Sequence, residues 1–122
     1  MLGTYGLSAG YREAFYGSAQ RIRTRVLNEF NAAYEDFDVL LAPTSPTTAF
    51  AIGDKTADPL AMYVNDVTTI PSNLAGQPAM SVPFGTGDDG LPIGMQVLGP
   101  LMGDVVMFQV AAELERAALG GA

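Results

Sequence analysis

The sequence has no histidine and no cysteine in 122 residues. The first absence removes the commonest general base and the commonest metal ligand. The second removes thiol nucleophiles and any disulfide framework. A Ser-His or Cys-His nucleophilic pair therefore cannot be assembled from this chain. Positive charge is also scarce: 6 Lys and Arg stand against 13 Asp and Glu, a net charge of -7. Phosphates call for clustered cations, so a direct nucleic-acid footprint is disfavoured, although a nucleic acid held by a partner is not. No apolar run approaches the roughly 20 residues of a membrane span. No basic stretch leads into an apolar one at the start, so no secretory signal is expected and a soluble cytoplasmic protein is.

What is there reads as alternating helix and strand. Hydrophobic residues make up 48% of a chain of single-domain length, which argues for a packed core. Phe15, Ala19, Ile22, Val26, Phe30 and Ala33 fall three and four apart, predicting a helix over residues 10–34. Within it RIRTR (residues 21–25) reads as a solvated flank, with Glu29 as a partner for its arginines. The run DVLLAPTSPTTAF (38–50) predicts a strand at 39–42 buried on both faces, ended by Pro43 and Pro46. The loop after it lies at the strand's C-terminal end, where α/β proteins usually hold ligands.

In DPLAMYVNDVTTIPSNLAG (58–76), Asp58 and Pro59 suit a helix start and Gly76 a helix stop. Pro71 divides the stretch into two short helices with a joint near residues 66–69. Strands at 80–83 and 93–98 flank a GDDG turn, and an amphipathic helix capped by Asp104 runs to residue 117. The sum is an α/β fold with a mixed β-sheet covered by helices. Three strands are few for a self-contained sheet of this class. With the abrupt opening MLGTYGLSAG, they lead to the expectation of a fragment of a larger domain.

Chemistry is thin. The single lysine, Lys55, stands in a polar loop, while Ser72 and Ser81 belong to core elements, so a Ser-Lys pair is not expected. Asp88 and Asp89 suit the turn they occupy, and no neighbour adds the oxygens a cation needs. Glu113 and Glu115 point to opposite sides of one helix. No catalytic residue and no metal ligand is assigned. Asp66 stands apart, at the joint among Met62, Val67 and Ile70 with no cation near it in sequence. A carboxylate there needs a partner. It either caps the second short helix or receives a ligand's ammonium.

The segments MLGTYGLSAGY, DVLLAPTSPTTAF, DPLAMYVNDVTTIPSNLAG, PAMSVPFG and GLPIGMQVLGP together resemble the C-terminal part of the amidase signature family. DPLAMY with the following ND and NLAG resembles its tRNA-dependent amidotransferase branch. The resemblance implies that residues 1–122 are one C-terminal fragment of an amidase-signature domain. It also implies a whole enzyme that cleaves amides with a Ser-Ser-Lys triad lying upstream of this segment. None of those residues has a counterpart here, and Lys55 does not match the catalytic lysine.

In that branch the position of Asp66 holds the α-ammonium of glutamine, and an Arg for the α-carboxylate falls before MLG. The implied partners are glutamine, the N-terminal part of the same enzyme, subunits B and C and, indirectly, Glu-tRNA(Gln). The resemblance implies no cofactor in this chain, since ATP and magnesium belong to a partner subunit. Two other readings stay open: a stand-alone hydrolase of small amides, and a non-catalytic module that binds through an open sheet edge.

Overall fold

The computed structural model describes residues 15–120. The opening MLGTYGLSAGY and the start of the expected first helix lie outside them. Helix α1 (Gly17–Ala33) leads to strand β1 (Leu40–Pro43), two short helices α2 (Pro59–Val64) and α3 (Ile70–Ala75), strands β2 (Ala79–Thr86) and β3 (Pro92–Leu98), and helix α4 (Asp104–Gly120).

Local chemistry explains the boundaries. The Asp58 carboxylate accepts the Leu60 N–H at 2.9 Å and Pro59 follows it, so α2 starts on a side-chain cap with a residue that has no N–H to lose. Gly76 ends α3 in the left-handed region at φ 73°, with its N–H and that of Gln77 closing onto the Ser72 carbonyl. The GDDG turn closes with Gly87 N–H on Leu91 O and Gly90 at φ 78°. Asp104 is the first residue of α4 and not its cap; its charge there still favours the helix N-terminus.

The strand order is β1-β3-β2. Both pairings are antiparallel, with Leu41 and Met80 opposite Val97 on either side. The α/β class stands, but the expected mixed sheet is corrected. β2 and β3 form a hairpin across the GDDG turn, and β1 runs antiparallel on the far edge of β3. The side chains of β3 alternate. Val97 and Met95 face α4, where Val97, Val82, Met107 and Ala111 make the buried core with Met80, Val110 and Leu114 around them. Gln96 faces the other way, toward α3 and the joint before it, and donates to the Thr68 carbonyl at 3.0 Å. Helix α1 packs on α3, where Arg23 Nε donates to Leu74 O at 2.7 Å. Arg25 pairs with Glu29 as the spacing implies.

The strand β1 is not buried on both faces: Leu41 is 50% exposed. It is an edge strand, and α4 packs chiefly on β2 and β3. Ile22, Tyr63, Val67 and Phe108 are likewise exposed. Much of the apolar pattern of the described elements is thus directed at contacts that they do not make with one another.

Candidate functional site

The sheet face opposite α4 carries polar side chains. The Ser81 and Thr44 hydroxyls share a hydrogen bond of 2.6 Å from β2 to the residue after β1. The bond crosses β3 at Gly94. A β-carbon there would approach Ser81 Oγ to 2.6 Å and Thr44 Oγ1 to 3.0 Å, so glycine is the residue that leaves room. Two cavities meet at this pair. One of about 550 Å³ is bounded by residues 43–50, Asn65, Ser81 and Gly94. A smaller one of about 240 Å³ lies between the sheet and α3, lined by Thr69, Ser72, Gln77 and Gln96. The larger cavity opens where strand β1 ends, the position the sequence indicates for a ligand.

Prolines 43 and 46 stiffen the loop wall of that cavity, and two braces hold it. Thr48 donates to the Asp89 carboxylate, which also accepts the Leu91 N–H at 3.0 Å. The Thr48 hydroxyl first, then the Leu91 N–H, hold the Asp89 pKa below the usual carboxylate range. A lowered pKa makes this brace fully present above the unfolded-state value, near pH 4, and lost as pH falls through the folded value. The GDDG turn therefore braces the loop; its Asp89 is engaged by protein donors. The second brace is Lys55, whose ammonium donates to Asn65 Oδ1 at 2.6 Å and stands 4.1 Å from the Phe50 ring centroid.

Lys55 donates to Asn65, Ser72 donates to Thr69 O at 3.0 Å and Ser81 shares its bond with Thr44, so no hydrogen bond joins Lys55 to either serine among the described residues. The hydroxyls lining the cavities can orient a ligand, but the described residues give them no base.

Asp66 is exposed, one residue from Asn65 in the cavity wall. Its carbonyl accepts Thr69 N–H at 3.0 Å, Ile70 N–H at 2.9 Å and Thr69 Oγ1 at 3.1 Å. Its carboxylate takes no hydrogen bond or ion pair among the described residues. The residue capping α3 is Thr69, without a side-chain cap bond. The backbone of Asp66 thus starts the helix, while its carboxylate takes no partner among the described residues.

Sequence reasoning missed Thr44, Thr68, Gln96 and the Lys55–Asn65 pair. One signal was present: Gln96 is a lone polar residue in an apolar strand, and it is 3% exposed and hydrogen-bonded. The others depend on contacts 10 to 37 residues apart, which periodicity does not encode.

Among the described residues no helix is long and apolar enough to cross a membrane. Residues 1–107 match the amidase family. The chain is 57% identical over 118 residues to the A subunit of the glutamyl-tRNA(Gln) amidotransferase of Acidothermus cellulolyticus, covering 96% of this chain and 23% of that protein. It superposes on the crystal structure of the same subunit from Thermotoga maritima with TM-score 0.82 and 46% identity, over 95% of this chain and 25% of that one. Allophanate hydrolase from Kluyveromyces lactis follows with TM-score 0.74 and 27% identity, over 96% of this chain and 18% of that one. The chain spans about a quarter of the length of the curated relatives it matches. The half-covered sheet, the ligand-sized cavity at the strand ends and these likenesses agree that the chain belongs to the amidase family.

Proposed function

We propose that this chain is the C-terminal part of the A subunit of a glutamyl-tRNA(Gln) amidotransferase. The observation that carries the reading is an identity gap within one fold. On superposition the chain is 46% identical to the A subunit of such an amidotransferase but only 27% identical to an allophanate hydrolase, although each match covers at least 95% of the chain. In this reading the whole protein hydrolyses glutamine to glutamate and ammonia, in the cytoplasm. Partner subunits B and C receive the ammonia and, with ATP and magnesium, convert Glu-tRNA(Gln) to Gln-tRNA(Gln). The nucleophile and base belong to the rest of the A subunit. This chain supplies the braced cavity wall and the Asp66 carboxylate. Free glutamine is a zwitterion, and a fixed carboxylate facing its ammonium separates it from neutral amides. The net charge of -7 suits a protein that leaves tRNA to its partners.

The test is a graft: the Acidothermus A subunit with its matching segment replaced by this chain, assembled with its partner subunits. It should hydrolyse glutamine at least tenfold more efficiently than acetamide or benzamide, the margin that one charge-assisted contact supplies at roughly 1.4 kcal/mol. A graft that prefers the neutral amides would support a stand-alone amidase origin instead.

A further inference from the structure

We infer that Thr68 and Asn65 are positioning residues, which hold the joint between α2 and α3 so that the Asp66 carboxylate meets a ligand ammonium without rearrangement. The inference rests on the reading of Asp66 given above and deepens it. Residues 65–69 form a run of turns closed by short-range backbone hydrogen bonds, and such a segment opens more readily than a helix or strand unless further contacts hold it. This one is held at both ends. At one end the Thr68 hydroxyl donates to Thr44 O at 2.6 Å, while the Thr68 carbonyl accepts Gln96 Nε2 at 3.0 Å. Gln96 belongs to the central strand and is buried, so the joint is fastened to the sheet itself. At the other end Asn65 Oδ1 accepts from Lys55 at 2.6 Å and Asn65 Nδ2 donates to Ala61 O at 3.2 Å.

Asp66 lies between these anchors. Its carbonyl takes three hydrogen bonds that start α3, and its carboxylate takes none among the described residues. Had the joint been built only to start the helix, the carboxylate would accept a helix N–H, as Asp58 does for α2. A carboxylate with no partner among the described residues, on a doubly anchored backbone, is the arrangement that meets an opposite charge with little ordering cost.

The experiment uses the whole enzyme, this segment within the Acidothermus A subunit. Thr68→Val keeps the shape and removes the hydroxyl. KM for glutamine should rise roughly threefold to tenfold, the size of one hydrogen bond. The kcat for glutamine should stay within about twofold, as expected when ground-state and transition-state binding fall together. Synthesis driven by ammonium salts should be unchanged. Thr68→Ser should restore KM. The decisive readout is coupling. In an Asp66→Asn background Thr68→Val should have no further effect, whereas a merely structural role gives the same factor in both backgrounds. Should Thr68→Val fail to fold, Asn65→Ala measured in the same cycle decides. An unchanged KM, or equal factors in both backgrounds, overturns the inference while leaving Asp66 in place. An Asp66→Asn enzyme with normal glutamine use removes the reading of Asp66 and the inference with it.

Discussion

Met107→Ala is expected to destabilise the chain by about 2–5 kcal/mol, while Ala in place of the adjacent Phe108 should change stability by no more than about 0.5 kcal/mol. The two side chains leave neighbouring positions on α4 in different directions. Met107 is 4% exposed and fills the space between Val82, Val97 and Ala111. Truncation leaves a void there, because the sheet on one side and the helix backbone on the other cannot both close in. Phe108 is 58% exposed and has little burial to lose. Urea titration followed by circular dichroism measures both, the midpoint moving with the slope unchanged. Comparable losses in the two variants would mean that α4 packs on the sheet through a different face.

Asp66→Asn should lower the efficiency of glutamine use by the grafted enzyme roughly tenfold to hundredfold, the range of a charge-assisted hydrogen bond at about 1.5–3 kcal/mol. The substitution keeps size and shape and removes only the charge. The melting temperature should hold, because the contacts that start α3 run through the Asp66 carbonyl, which asparagine retains. Ammonium salts bypass the amidase site, so synthesis from them should be nearly unchanged. A loss of stability in place of a loss of glutamine use would make Asp66 a structural residue after all. No loss of either kind would mean that the ammonium is held elsewhere.

The order of elements was legible because each boundary has a local cause. Asp58 with Pro59, Pro71, Gly76 and the GDDG turn act within a few residues of themselves, and all four mark boundaries in the structure. Sheet geometry was less legible. The apolar run at 39–42 read as a doubly buried strand, but Leu41 lies on an edge strand and is half exposed. Apolar character records that a face is meant to be covered and does not record by what. The same limit applies to Ile22 of α1 and to Phe15 just before it, both exposed. Asp66 could be singled out as a carboxylate among apolar neighbours. The anchors around it could not, since Thr44, Lys55 and Gln96 converge on the joint only after the chain has folded.

The most direct measurement of the central claim is glutamine hydrolysis by the isolated chain and by the graft, assayed side by side with the partner subunits present in both. Background turnover is predicted for the isolated chain, whose described residues hold serines but no activating base. Turnover near that of the unmodified Acidothermus enzyme is predicted for the graft, where this segment meets the rest of the site. Turnover by the isolated chain above that of its Ser72→Ala, Ser81→Ala and Lys55→Ala variants would contradict the claim, as would a folded graft that no longer hydrolyses glutamine.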